Sequence, residues 1–123
     1  MNKSEPTSLL EFEKALISLE KALSEPKTDI TRDASIQRFE FCVELAWKTA
    51  KKKMGSDSIA PKVIVREMAQ QRLIEDPELW IQFVNARNES SHTYKEDVAR
   101  RVLDVATHFL PEGKKLLSAL KKL

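Results

Sequence analysis

Ile36-Gln37-Arg38-Phe39-Glu40-Phe41-Cys42-Val43-Glu44-Leu45-Ala46-Trp47-Lys48 places Ile36, Phe39, Val43, Ala46 and Trp47 three and four residues apart, the spacing of side chains that share one face of an α-helix. Ala50 and Met54 continue that face. The expected element is therefore a long helix closed by Gly55, a residue free to take the left-handed conformation that ends helices. Its cap is expected among residues 31–33, where Thr31 and Asp33 stand. The face is read as core, Trp47 included, and not as an aromatic binding box. Cys42, beside Phe39 and Val43 on the apolar side, is read as a small buried hydrophobe and not as a reactive thiol.

Helical spacing extends in both directions from this stretch. Upstream, Leu9, Phe12, Leu16, Leu19 and Leu23 mark a helix over about residues 8–24, ended by Pro26 and its polar neighbours. Downstream, Pro61 and Pro77 are each suited to a first helical turn, where a missing N–H costs nothing. Pro61 opens a short helix through Met68 to Gln71. Pro77 opens the helix bearing Leu79, Trp80, Phe83 and Val84. Thr93-Tyr94-Lys95-Glu96 has the form of a capping box that starts the next helix, whose face is Val98, Val102, Val105, Ala106 and Phe109. Pro111 is expected to kink or break that helix, leaving Leu116, Leu117 and Leu120 in a tail that forms a sixth short helix. Short connections between such helices favour an all-α, up-and-down bundle of about five helices. The first and last helices look apolar enough to serve both a core and a dimer interface.

Composition agrees. At 123 residues the chain is expected to be one domain over residues 1–123, with no room for a separate catalytic unit. Only two glycines are present, which argues against a glycine-lined nucleotide fold. The net charge of +2 permits contact with RNA without announcing it. A lone cysteine forms no internal disulfide, and the polar N-terminus lacks the apolar core of a secretory signal, so the expected location is cytoplasmic. No apolar run approaches the length of a membrane span.

The chemistry concentrates in Arg87-Asn88-Glu89-Ser90-Ser91-His92-Thr93-Tyr94. Arg87 and Asn88 are expected on the last turn of one helix and His92 just ahead of the next, where unpaired N–H groups and the positive end of the dipole favour an anion such as phosphate. That dipole disfavours a protonated imidazole, leaving His92 able to accept a proton. Arg87 offers a planar, permanently charged fork to phosphate oxygens, and Asn88 falls one turn before His92 if the helix extends that far. The plainer reading is that these are capping and solvent-facing groups.

Arg87-Asn88-x-x-x-His92 resembles the signature of HEPN domains, in which an Arg, a polar residue and a His four positions after it form a metal-independent RNase site. With Tyr94 the pattern becomes Arg-x4-His-x-Tyr, similar to HEPN toxins encoded beside a minimal nucleotidyltransferase (MNT) in prokaryotic toxin–antitoxin pairs. The stretch from Ile36 to Lys48 is similar to the long helix of a related group, the nucleotidyltransferase substrate-binding proteins. Together the two resemblances cover nearly the whole chain. They imply a HEPN fold, a homodimer with both Arg/His motifs facing one cleft, RNA as substrate, a separately encoded MNT partner, and Tyr94 as the residue that partner adenylylates (AMPylation). In that scheme His92 moves a proton, Arg87 stabilises charge on the phosphate, and Asn88 orients either. No metal or cofactor is implied, and the sequence offers no rival metal site: the only other histidine is His108, read as a helix-face residue, and no carboxylate cluster has two-metal form. Lys51, Lys52 and Lys53 are read as a solvated helix end that complements the dipole.

A second reading from a different class remains open. In it the chain is a noncatalytic substrate-binding subunit of a separately encoded nucleotidyltransferase, with Trp47 and its neighbours lining a groove. The two readings differ on whether Arg87 and His92 perform chemistry or only bind an anion.

Overall fold

The computed structural model describes residues 8–123. Five α-helices follow in order: α1 (Leu9–Ser24), α2 (Asp29–Met54), α3 (Pro61–Gln70), α4 (Pro77–Glu89) and α5 (Glu96–Lys121), with a single 3₁₀ turn at Ser90–His92 between the last two. No strand occurs among the described residues. The fold is an all-α bundle. The two long helices and α1 pack together, and α3 and α4 pack on each other and on α2.

Ser8 caps α1, its Oγ accepting the Glu11 N–H at 3.1 Å. Phe12, Ala15, Leu16, Leu19 and Ala22 form the buried stripe of that helix. The expected inward face of α2 is buried from Ile36 through Ala50, and only Met54 is half-buried. Ser35, Cys42, Leu45 and Thr49 are buried as well, because α2 contacts every other helix and so has a wide inner arc. The buried apolar residues of all five helices make one continuous core.

Three expectations about helix ends are corrected. First, α2 starts at Asp29, with Thr28 and Thr31 exchanging cap hydrogen bonds at 3.1 and 2.9 Å. Thr31 closes the cap from inside the first turn, which is why it looked like the cap itself. Second, the box at Thr93–Glu96 does not form: Lys95 precedes α5 with no side-chain cap, and the Thr93 hydroxyl donates to the Ser90 carbonyl at 3.3 Å. Third, α5 runs unbroken through Pro111, so the sixth helix does not exist. Pro111 lies on the exposed side while Phe109, Gly113, Leu116, Leu117 and Leu120 carry the buried stripe past it. Packing on that scale offsets the roughly 3 kcal/mol that a proline costs a helix interior. Gly113 lets α5 approach α1: a Cβ there would lie 2.8 Å from Leu16 Cδ2 and 3.1 Å from the Phe109 ring.

Two helices end in the same hydrogen-bonded turn. After α2, the Gly55 and Ser56 N–H groups donate to the carbonyls of Lys52 and Lys51, with Gly55 at φ 68°. After α3, Arg72 and Leu73 donate to Ala69 and Met68, but the left-handed position is Arg72, at φ 63°. A side chain there is strained by roughly 1–2 kcal/mol. Arg72→Gly is therefore expected to raise stability by about 0.5–1 kcal/mol after the extra chain entropy of glycine is counted, seen as a higher urea midpoint with unchanged slope.

Cys42 is fully buried, and loss of solvation pushes its thiol from the ordinary value of 9.0 up to about 12. The folded state thus holds the proton more tightly than the unfolded state does. This preference is neutral below pH 9.0, and above it unfolding is favoured as the unfolded thiol ionises. The thiol is expected to ignore a thiol reagent at mildly alkaline pH and to react in step with denaturant unfolding, as a colorimetric assay would record.

Candidate functional site

Asp76 and Pro77 start α4, the Asp76 carboxylate accepting the Leu79 N–H at 3.1 Å. Trp80, Phe83, Val84 and Ala86 then bury one face of the helix. This sets Arg87, on the last turn, against α2. Its Nη1 lies 3.2 Å from Glu40 Oε2 and its Nε 3.3 Å from Glu44 Oε1. Glu44 is also 3.8 Å from Lys48 Nζ. A line of alternating charge, Glu40, Arg87, Glu44, Lys48, therefore runs along the outer side of α2. Arg87 Nε is shielded from solvent and makes no aligned hydrogen bond, so its contact with Glu44 is charge attraction without a directed N–H.

The end of α4 is built from hydroxyls. Ser90 Oγ donates to the Arg87 carbonyl at 2.6 Å and Ser91 Oγ to the Asn88 carbonyl at 3.4 Å. These bonds satisfy last-turn acceptors and draw the chain into the 3₁₀ turn that holds His92. His92 is exposed, and its ring centroid lies 6.0 Å from that of Tyr94 with the planes at 76°. Tyr94 is 77% exposed. Asn88 also faces solvent.

The local geometry departs from expectation in two respects. Thr93, Tyr94 and Lys95 separate His92 from α5, so the imidazole lies ahead of that helix as expected but two residues further from it than a Thr93 cap would place it. Asn88 and His92 do not share a helix face, because α4 gives way to the 3₁₀ turn at Ser90. Among the described residues the side chains of Arg87, Asn88 and His92 share no hydrogen bond; His92 and Tyr94 are the pair brought into contact.

Beside the motif lies a cleft of about 730 Å³, walled by Arg32, Gln37 and Glu40 of α2, by Ser90, Thr93 and Tyr94 of the connecting turn, and by Glu96. Arg32 Nη1 holds both Glu96 oxygens, at 2.8 and 3.0 Å, and that hydrogen bonding raises its already high pKa. The cations at this cleft, Arg32 and the Arg87 that pairs with its Glu40 wall, are thus each engaged by carboxylates. An incoming phosphate must exchange with Glu40, Glu44 or Glu96 for a guanidinium. Sequence reading missed Arg32, Glu40, Glu44 and Glu96. The available signal was the Glu40, Glu44, Lys48 series at four-residue spacing, which marks one charged side of α2.

Trp47 is only 9% exposed, yet its edge walls a second cavity of about 540 Å³ with Lys48, Lys51, Lys52 and Ile59. It serves the core and a groove together. His108 is exposed, with Nδ1 2.9 Å from the Asp104 carbonyl one turn back. Among the described residues no three His, Cys, Asp or Glu side chains gather to hold a metal ion, and no helix is long and apolar enough to cross a membrane.

Residues 7–122 match the family described as nucleotidyltransferase substrate binding protein like. A Haemophilus influenzae protein named probable ribonuclease HepT is 34% identical over 96 residues, which span 72% of this chain and 66% of that relative. Two solved structures superpose closely. One, from Thermus thermophilus, has a TM-score of 0.81 at 30% identity, covering 89% of this chain and 98% of that one. The other, from Haemophilus influenzae, is described as revealing the fold of a substrate binding domain of a nucleotidyltransferase; it has a TM-score of 0.82 at 30% identity, covering 93% and 99%.

Proposed function

The chain belongs to the nucleotidyltransferase substrate-binding protein-like family, of the HEPN/MNT type, and from that premise we propose that it is the toxin and partner subunit of a separately encoded MNT, and a metal-independent endoribonuclease. Its site is Arg87, Asn88 and His92, and Tyr94 is the residue the partner adenylylates. The supporting observation is that Tyr94, whose ring the exposed His92 meets edge to face, walls a cleft also walled by Glu40, the residue that holds Arg87 in place.

In this reading the RNA 2′-oxygen attacks the adjacent phosphorus while His92 takes its proton. The bond from phosphorus to the 5′-oxygen breaks, leaving a 2′,3′-cyclic phosphate and a 5′-hydroxyl. Arg87, released from Glu40 by the incoming phosphate, stabilises the charge gathering on the non-bridging oxygens, and Asn88 orients the phosphate. One imidazole cannot take the first proton and deliver the second in the same instant. A homodimer answers this by placing His92 of the partner subunit at the leaving oxygen. An adenylyl group on Tyr94 Oη, transferred from ATP with release of pyrophosphate, adds negative charge and bulk at the cleft mouth and shuts out substrate. The reaction belongs in the cytoplasm, where RNA and ATP are at hand.

The full carboxylate pairing of the cleft cations favours the second reading, a noncatalytic substrate-binding subunit. RNA cleavage by the purified chain with EDTA present separates the two. Cleavage that disappears in an equally helical His92→Ala protein supports the RNase. A folded wild type that leaves RNA intact gives the binding subunit. Incubation with the MNT partner and ATP is expected to add one adenylyl mass, absent in Tyr94→Phe.

A further inference from the structure

We propose, on the reading that Tyr94 is the residue the partner modifies, that Arg32 is the receptor for the adenylyl phosphate, so that the modified side chain turns into the cleft and is held there.

Exposure alone gives the group no reason to enter. Tyr94 is 77% exposed, and an adenylyl group pointing into solvent would leave a cleft of about 730 Å³ open to substrate. The backbone around Tyr94, by contrast, is held on both sides. Before it, the Thr93 hydroxyl donates to the Ser90 carbonyl at 3.3 Å. After it, the Lys95 N–H donates to the His92 carbonyl at 3.1 Å, and Glu96 is tied to Arg32 of α2. Tyr94 therefore stays at the cleft wall, and its side chain alone decides where the group lies. The cleft volume falls within the roughly 300–1,000 Å³ of sites that enclose a small organic ligand.

Adenylylation turns a neutral phenol into a negatively charged phosphodiester, and the cleft answers that charge at one place. Among the described residues its walls hold three carboxylates, Asp33, Glu40 and Glu96, and a single cation, Arg32. Arg87 stands outside the lining, its Nη1 and Nε facing Glu40 and Glu44. Arg32 is only partly used. Both Glu96 oxygens lie on Nη1, at 2.8 and 3.0 Å, and Asp33 takes Nε at 3.4 Å, so Nη2 makes no hydrogen bond among the described residues. The free oxygens of a phosphodiester fit the two-nitrogen fork that Glu96 leaves unfilled. The Arg32 side chain is 18% exposed, so its stem is already fixed in place. Nor does the exchange strand Glu96, whose Oε2 lies 3.6 Å from Arg100 Nε and whose side chain is 60% exposed. Covalent attachment gives the phosphate an effective concentration of roughly millimolar order, and a contact of this kind then suffices to hold the cleft shut.

The test is removal of the adenylyl group by a phosphodiesterase, followed by intact mass, after the full chain has been incubated with the MNT partner and ATP. Wild type is expected to lose the group at least about tenfold more slowly than Arg32→Gln, the scale of one hydrogen bond between charged groups. Glu96→Gln breaks the same bridge but keeps the guanidinium, and is expected to protect the group at least as well as wild type. In the wild type alone, the Arg32 Nε–H resonance is expected to shift on adenylylation. Equal removal from wild type and Arg32→Gln, equal loss of protection in both variants, or an unmoved Arg32 resonance overturns the proposal and leaves the modification of Tyr94 standing. A chain that gains no adenylyl mass, or gains it equally as Tyr94→Phe, overturns the modification reading and the proposal together.

Discussion

Phe109→Ala is expected to cost about 4–5 kcal/mol of folding stability, the upper end of the range for truncating a core aromatic. The ring is fully buried and meets three others edge to face, Phe39 at 5.5 Å, Trp80 at 5.6 Å and Phe83 at 5.2 Å between centroids. It therefore joins α2, α4 and α5 at one point. Truncating a buried Phe costs about 3–5 kcal/mol through lost transfer energy and the cavity left behind, and such aromatic pairs contribute about 0.5–1.5 kcal/mol beyond area. Gly113, one turn on, has no side chain to help fill the hole. Against a total of about 5–15 kcal/mol for a domain of this size, the variant stands near the edge of unfolding. Urea denaturation is the measurement, with the midpoint falling and the slope kept. A loss under about 1 kcal/mol would mean the three helices are held elsewhere. The opposite lesion, Gly113→Ala, brings a methyl to 2.8 Å from Leu16 Cδ2; its overpacking cost of about 1–3 kcal/mol is reduced by the roughly 1 kcal/mol that alanine gains over glycine in a helix interior.

Phe109 also shows what sequence could reveal of this fold. Its place on an apolar stripe is plain from Val98, Val102 and Ala106, and α1, α3 and α4 begin at or within a residue of where Ser8, Pro61 and Pro77 place them. These signals are local, and local physics fixes them. Pro111 misled because its effect is decided at a distance. The residues that carry α5 past it, Gly113 and Leu116 onward, gain their stability from α1 and the core. Thr93 misled for a related reason. The sequence Thr-x-x-Glu fits a cap, but the Ser90 carbonyl of the 3₁₀ turn claims the hydroxyl first and Arg32, 64 residues away, claims the Glu96 carboxylate.

The site divides along the same line. The eight residues from Arg87 to Tyr94 stand out in sequence because their residue types are dense in chemistry, and the structure keeps His92 and Tyr94 together. The partners of Arg87 were not legible. Glu40 and Glu44 lie more than 40 residues upstream, and only the packing of α4 on α2 turns their four-residue spacing into a clamp.

That clamp makes the Arg87 series the most informative about function. Arg87→Ala is expected to lower RNA cleavage by about 10²–10³-fold, the usual loss when one group stabilising transition-state charge is removed. It should also cost about 1 kcal/mol of stability. Glu40 and Glu44, 35% and 27% exposed, would then face each other across one turn as like charges without the cation between them. His92→Ala carries no such penalty, since the ring is exposed, and is expected to lose about 10²–10⁴-fold in rate at unchanged stability. Adding Glu40→Gln and Glu44→Gln to Arg87→Ala separates the two effects, because stability should return while activity does not. The same pair of substitutions with Arg87 intact decides what the carboxylates do. If they only hold the guanidinium in check, freeing it tightens RNA binding and lowers KM. If they aim it, KM is little changed and kcat falls as the guanidinium swings out of line. A kcat and KM both unmoved would leave Arg87 a structural cation between two helices, and cleavage assays on Arg87→Ala would then show no loss beyond its effect on folding.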